Sequence, residues 1–532
     1  MIASIRPLKR IFNCVLRPFV SKITKVNHNK NYSSIYYGHF YKQKIVNLKY
    51  NKNFSKTSYY LKDISFDQED PDSTNGNDEE SFYEFANRTF RIPENGHNVF
   101  IIQPYIKWGP LKKTKTTPQL QLEEAVTLIK TLPRWKVLDS KIISLMSLDK
   151  KTLFGKGNLE LIHEIIKAND QISAIFVSIN ILKPSQHRVL EDLFRVPVYD
   201  RYTIVMLIFK EHAITKEAKL QVSMAEIPYL YSRLKNVHEG ATDRLGGGAS
   251  AIGGDGETFI EVKRRLLTTR EQKLKEAIKK LRGHREIIRK KRKKLEIPTV
   301  AVVGYTNAGK TSLIKALTGE KTLEPKDQLF ATLDVTVHSG LLPSNLEVLY
   351  VDTIGFISDI PTGLIESFIA TLEDAMIADL IIHVLDVSHP DAISQSEHVI
   401  NTLKSLNLQE SLFDNIIHVG NKADMLKTPL DDSLAKFKNL LVSATNGLGL
   451  KELKYKVENS VIKSTGRITM KIRIKNGGPE LRWLYKESTV VNVEVDNDNT
   501  QFIYVNVIIT ESSLNKFKHL FIKLKNSSKS TY

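Results

Sequence analysis

Cysteine is all but missing from this 532-residue chain: Cys14 is the only one. A lone cysteine excludes an intramolecular disulfide and a cysteine-cluster zinc site. Long apolar runs are missing as well, and none approaches the ~18 residues of a membrane-spanning helix, so no span is expected. Acidic residues are absent until Asp63. Before it stand Arg6, Lys9, Arg10, Arg17, Lys22, Lys25, Lys30, Lys42, Lys44, Lys49, Lys52, Lys56 and Lys62. Taking those thirteen charges from the formal +18 leaves +5 for the rest, so the basic balance belongs mostly to the N-terminus.

That N-terminus is rich in Lys, Arg and Ser and places Ile2, Ile5, Leu8, Phe12, Leu16 and Phe19 at helical spacing. Such an acid-free amphipathic segment predicts a mitochondrial presequence and basic tail over residues 1–62; an unstructured basic tail alone is the alternative. Residues 63–94 turn acidic and turn-rich, with Asp67, Glu69, Asp70, Asp72 and the run Asn75-Gly76-Asn77-Asp78-Glu79-Glu80, which predicts a linker. The rest of the chain is expected to be soluble and monomeric.

From Val99 short apolar runs at 99–102, 135–138 and 172–177 alternate with helical patterns at 119–132, 158–167 and 186–194. Alternation of this kind predicts a small parallel α/β domain over residues 95–245. Residues 246–296 join a glycine-rich loop (Gly246 to Gly248, then Gly253-Gly254-Asp255-Gly256) to a charged helical segment that Gly283 can break into two helices. Leu267, Leu274, Ile278, Leu281 and Ile288 give this segment a thin apolar stripe, while Arg282, Arg285, Arg289 and the run 290–294 crowd its second half. A charge run of this sort is either a solvated face or a contact with a phosphate backbone. Pro298 opens a segment, residues 297–465, expected to be a P-loop domain with a mostly parallel sheet flanked by helices. Residues 466–532 alternate as strands at 470–474, 489–495 and 502–510 before an amphipathic helix at 512–523, a small α+β domain. The fold class is therefore α/β and multidomain.

The apolar run 300–303 leads into Gly304-Tyr305-Thr306-Asn307-Ala308-Gly309-Lys310-Thr311 and then a helical pattern at 312–317. That is the strand–loop–helix spacing of a phosphate cradle. Its glycines turn backbone N–H groups toward a β-phosphate, Lys310 brings a charge to the β/γ oxygens, and the Thr311 hydroxyl can ligate Mg2+. Asp352, ending the run 348–351, is expected to hold the Mg2+ shell through water, and Gly355 to offer its N–H to the γ-phosphate. Thr332, between loop and Asp352, is the expected second Mg2+ ligand. Asn421-Lys422-Ala423-Asp424 then selects the base. Asp424 accepts from guanine N1–H and the exocyclic amine, which adenine cannot match. Asn421 is expected to hold the loop and meet the base edge, the Lys422 stem to cover the ring, and a backbone N–H at Ser443-Ala444 to meet guanine O6.

These motifs in this order specify GTP and GDP, and they predict GTP hydrolysis with Lys310, Thr332, Asp352 and Gly355 at the reacting phosphate. Where many small GTPases carry a water-orienting glutamine, this chain has Phe356. Intrinsic turnover is expected to be slow, with up to ~10⁵-fold acceleration available from a partner. Asn307 either helps hold K+ beside the phosphates or only stabilises the loop.

The phosphate loop, the run Asp327-Gln328-Leu329-Phe330-Ala331-Thr332-Leu333-Asp334 and Asp352-Thr353-Ile354-Gly355-Phe356 together resemble the HflX family of translational GTPases. So do Ala370-Thr371-Leu372-Glu373-Asp374, the run Leu182-Lys183-Pro184-Ser185-Gln186-His187-Arg188-Val189-Leu190-Glu191, Val198-Tyr199-Asp200-Arg201 and Lys219-Leu220-Gln221-Val222. The resemblance covers about residues 99–464. With the presequence and Leu481-Arg482-Trp483-Leu484-Tyr485-Lys486-Glu487 it points to the family's mitochondrial branch. It implies, in the mitochondrial matrix, binding to the large ribosomal subunit and its rRNA through the N-terminal domain and the helical pair. The roles it implies are subunit splitting, recycling or late large-subunit assembly. A nucleotide-gated rRNA-binding assembly factor with incidental turnover is the alternative; a tRNA-modification GTPase would need a one-carbon cofactor site, and no sequence suggests one. Gly253-Gly254-Asp255-Gly256-Glu257 replaces the bacterial family's Arg-Gly-Pro-Gly-Glu, which argues against the bacterial mode of rRNA contact. Gly155-Lys156-Gly157 resembles a family loop linked to a second nucleotide and is read as a plain turn.

Overall fold

Three sheets organise the computed structural model, which describes residues 90, 93, 95–110, 112–242, 259–294, 296–358, 377–406, 408–426, 432–496 and 499–523. The predicted presequence, nearly all of the acidic segment, the glycine-rich loop and the motif 370–374 lie outside the described residues.

The first sheet is parallel throughout, in the order β2-β1-β3-β4, with β1 at Asn98–Ile106, β2 at Lys136–Leu145, β3 at Ala174–Val177 and β4 at Val198–Tyr199. Parallel strands need cover on both faces, which is why the centre of β1 reads as an unbroken apolar run. Val99 and Ile101 pack with Ala125, Leu128 and Ile129 of α1 (Pro118–Thr131). Phe100 and Ile102 pack the other way, with Ile162 of α2 (Lys156–Ala168) and Leu190 of α3 (Pro184–Phe194). Thr117 caps α1, its hydroxyl accepting from Leu120 N–H at 3.3 Å, with Pro118 in the first position. Gly155-Lys156-Gly157 is not a plain turn. Gly155 is the extended residue before α2, its carbonyl accepts from Leu159 N–H at 3.0 Å, and Lys156 and Gly157 form the first helical turn.

Asp200 caps α4 (Arg201–His212) by accepting from Thr203 N–H at 3.0 Å. Then come α5 (Lys216–Thr242) and α6 (Phe259–Lys294), which pack on each other. Gly283 does not divide α6, which runs unbroken for 36 residues. One interior glycine costs a helix only about 1 kcal/mol relative to alanine, too little to interrupt so long a segment. Leu267 and Leu274 are buried and Ile278 and Leu281 pack partly against the same core, as the stripe requires. On the opposite face Arg282 is exposed, and Lys290 is exposed and paired with Glu286 at 2.8 Å. The side chains of Arg285, Ile288, Arg289 and 291–294 lie outside the described residues.

The second sheet has the order β6-β7-β5-β8-β9, where β5 is Thr299–Gly304, β6 Thr336–Leu341, β7 Glu347–Asp352, β8 Leu380–Asp386 and β9 Ile417–Asn421. Only β6 runs antiparallel to its neighbour. Helices α7 (Lys310–Thr318), α8 (Ala392–Ser405) and α9 (Leu450–Ser464) flank it. The third sheet is antiparallel, β10-β12-β11, with β10 at Arg467–Lys475, β11 at Thr489–Val495 and β12 at Phe502–Thr510. The 481–487 motif lies in helix α10 (Pro479–Glu487), and the terminal helix is α11 (Glu511–Phe517) followed by a π-helical turn, Lys518–Lys523. Among the described residues no helix is long and apolar enough to cross a membrane.

Two histidines sit side by side in the second sheet. His383 is fully buried and its Nδ1 lies 3.3 Å from Nδ1 of His418, with Phe437 against both rings. One nitrogen of the pair must accept, so both rings cannot be charged in this contact. Burial pushes His383 down to about 3 and His418 down to about 4. The unfolded chain takes up protons near pH 6.5 that the folded chain refuses. Stability is therefore fully present above that pH and lost as the pH falls toward the folded values. His383 alone should cost about 2 kcal/mol of stability at pH 5 relative to pH 7. Denaturant midpoints at the two pH values check this; a His383→Phe variant that keeps the full pH dependence would rule His383 out as its source.

Candidate nucleotide site

The site forms where β5, β7 and β9 end at the carboxyl edge of the second sheet. The chain leaves β5 through Gly304–Gly309 and enters α7 at Lys310. Gly309 has φ +86°, and a Cβ there would stand 2.3 Å from the Asn421 amide nitrogen, so glycine is required twice over. A Cβ on Gly355 would stand 2.8 Å from Thr306 Cα and 3.0 Å from Lys310 Nζ. The segment after Asp352 therefore lies directly against the phosphate loop. Phe356 fastens it there: its N–H donates to Gly304 carbonyl at 3.1 Å, its carbonyl accepts from Thr306 N–H at 2.7 Å, and its ring is buried.

Lys310 is buried, with Nζ donating to the carbonyls of Tyr305 at 3.0 Å and Gly304 at 3.4 Å. Burial pushes its ammonium down to about 8, against the pull of Asp352. Thr311, Thr332 and Asp352 converge. The Thr311 hydroxyl donates to Asp352 Oδ2 at 2.6 Å, the Thr332 hydroxyl reaches the same oxygen at 3.2 Å, and the two hydroxyls are 3.0 Å apart. Asp352 is almost wholly buried, and its Oδ1 has no hydrogen-bond partner. Burial pushes its carboxyl up, while Lys310 and the threonine hydroxyls pull it down. A buried carboxylate oxygen without a partner, beside two hydroxyls, is a donor set that fits a hard divalent cation.

On the base side, Asn421 is a bolt. Its amide donates to the Ala308 carbonyl at 2.9 Å, and its oxygen accepts from Ala444 N–H at 3.3 Å, tying phosphate loop, β9 and the Ser443 loop together. The Ser443 hydroxyl is 3.0 Å from that of Thr445 and accepts from Asn446 N–H at 3.1 Å. Lys422 has left-handed backbone, φ 61°, and pairs with Asp386 at 2.7 Å. Asp424 stands exposed on the 3-10 turn Ala423–Met425. Asn307 is exposed with φ 61°, and its amide donates to Asp327 at 2.7 Å. That leaves the carboxamide oxygen as the atom a cation would use.

Some residues around the site carry no local sequence signal. The buried Tyr305 hydroxyl donates to Glu124 of α1 at 2.6 Å and accepts from Ser358 N–H at 2.7 Å. Burial and the Glu124 carboxylate push the phenol well up, so it stays a neutral donor. Arg201 pairs with Glu124 and donates to the Ser358 carbonyl at 3.0 Å. Asp386 was findable, because it ends an apolar strand at the sheet's carboxyl edge.

Residues 119–210 match the family described as GTP-binding GTPase N-terminal, residues 212–292 its middle region, and residues 299–422 the 50S ribosome-binding GTPases. GTP-binding protein 6 of Xenopus laevis is 45% identical over 87% of this chain and 85% of its own length. The GTPase HflX of Caldanaerobacter subterraneus is 38% identical over 61% of this chain and 75% of its own. A solved GTP-binding protein of Sulfolobus solfataricus in complex with GDP is 22% identical, with a TM-score of 0.37 over 69% of this chain and 99% of that one. The chain belongs to the HflX family of GTPases, and it binds and hydrolyses GTP.

Proposed function

We propose that the chain is a mitochondrial matrix factor that binds the large ribosomal subunit and its rRNA with GTP and leaves after hydrolysis, promoting subunit splitting, recycling or late assembly. The observation that carries this is the match of residues 299–422 to the 50S ribosome-binding GTPases. The exposed cations of α6 suit a phosphate backbone, and the acid-free segment before Asp63 suits mitochondrial import.

In this reading the loop Gly304–Thr311 cradles the phosphates, and Lys310 sits on the β/γ oxygens. Thr311, Thr332 and Asp352 would hold Mg2+, which when bound would neutralise charge on those oxygens. Gly355 gives its N–H to the γ-phosphate. Asp424 reads the guanine edge while Asn421, Lys422, Ser443 and Ala444 shape its pocket, and the Asn307 oxygen is available to K+. Phe356 is buried and apolar and cannot itself orient water; the ribosome is the expected activator.

Mature protein loaded with a non-hydrolysable GTP analogue should sediment with large subunits at moderate salt and be released by GDP. No analogue-dependent sedimentation would sink the reading. The buried Phe356 also favours the alternative of a nucleotide-gated assembly factor with incidental turnover. Thr332→Ala or Asp352→Ala separates the two: the leading reading expects trapping on the subunit, the alternative expects function without hydrolysis.

A further inference from the structure

Thr332 does not reach the Thr311–Asp352 cluster unaided. The residues two before it and two after it are both held by the N-terminal part of the chain. Phe330 is buried with its ring edge-on to Phe209 of α4, the centroids 4.7 Å apart. Its carbonyl accepts from Nδ1 of His212 at 2.7 Å. Its backbone is left-handed, φ 53°, a costly conformation for a bulky residue that persists only where surroundings impose it. On the other side, the Asp334 carboxylate accepts from Ile214 N–H at 3.3 Å, Thr215 N–H at 3.2 Å and the Thr215 hydroxyl at 2.5 Å. That hydroxyl in turn accepts from Ala218 N–H at 3.1 Å. Asp334 thus supplies a negative charge to the N-terminus of α5 from 119 residues away, where the helix dipole favours it.

We propose that the corner His212–Thr215 positions Thr332 through Phe330 and Asp334, making Asp334 and Thr215 positioning residues for GTP hydrolysis and coupling the nucleotide state to α5. The inference rests on the reading of Thr332 as a ligand of the metal. If the segment around Thr332 swings away after hydrolysis it takes Asp334 with it, and Thr215, whose hydroxyl caps the first turn of α5, loses its anchor. The packed pair α5 and α6 then receives the signal without any intermediate element.

Hydrogen exchange on the full chain tests this, comparing a GTP analogue with GDP over residues 327–336 and 214–222. In the native protein both segments should be protected with the analogue and loosen together with GDP. Asp334→Asn should abolish the analogue-dependent protection at 214–222 and weaken analogue binding about tenfold, the usual size of a coupling between sites, with GDP affinity kept within about twofold. Thr215→Val should move the same readouts in the same direction, and it carries the test if Asp334→Asn fails to fold. Native protection and a native analogue-to-GDP affinity ratio in the folded variants would overturn the proposal. Thr332→Ala checks the underlying reading separately: native analogue affinity and turnover there would remove Thr332 as a ligand, whatever Asp334 does.

Discussion

Asp424→Asn is expected to weaken GTP binding by about 10²–10⁴-fold and to admit xanthosine triphosphate. Two charge-assisted hydrogen bonds to guanine, worth roughly 1.5–3 kcal/mol each, would be lost. Xanthine carries a carbonyl where guanine has its amine, and the new amide N–H can donate to it. The substitution should leave the fold alone, because Asp424 is exposed and makes no hydrogen bond or ion pair with the described residues. Titration with fluorescent guanosine and xanthosine triphosphates distinguishes the outcomes. A loss for both bases would mean that the loop has been damaged, and an unchanged affinity for GTP would take Asp424 out of the base site.

Lys310→Ala should end measurable turnover and weaken GTP binding by about 100-fold or more, since a charge-assisted contact to phosphate is replaced by none. Lys310 also sets a pH dependence. Burial pushes it down to about 8, so the ammonium is intact below that pH and becomes neutral above it. Triphosphate needs the charged form. GTP affinity should hold at pH 7 and fall toward about tenfold per pH unit as the pH rises beyond 8. Arginine does not titrate in this range, so affinity measured from pH 7 to 9 should stay flat in a Lys310→Arg variant that still binds. A decline in both proteins would place the titrating group elsewhere, on the base for instance.

The phosphate loop, its strand and its helix were legible because each rests on local residue types: an apolar run, glycines where backbone must turn, a lysine and a threonine at fixed offsets. The parallel first sheet was legible from the same kind of alternation. Gly283 misled because a single helix-weakening residue is a small term against 36 residues of helix. Gly155 misled because the residue before a helix looks like a turn until the downstream stripe is counted. The long-range contacts of Tyr305 and Asp334 had no local signature at all. Tyr305 meets a glutamate 181 positions upstream, and Asp334 holds Thr215, the cap of a helix 119 positions upstream. Tertiary contacts of that span depend on the whole fold, and no spacing rule announces them.

One apolar core has a consequence for how the chain can be divided. Val99 and Leu128 of the first sheet's layer belong to the same buried cluster as Phe330, Phe356, Ile357 and Ile381 of the nucleotide-binding part. The two are not beads on a string. A fragment cut at Pro298 would leave Phe330 without Phe209 and the Tyr305 hydroxyl without Glu124, so its kinetics would describe a different object. A substitution in the N-terminal layer is therefore also a change in the packing around Phe330, two residues from Thr332.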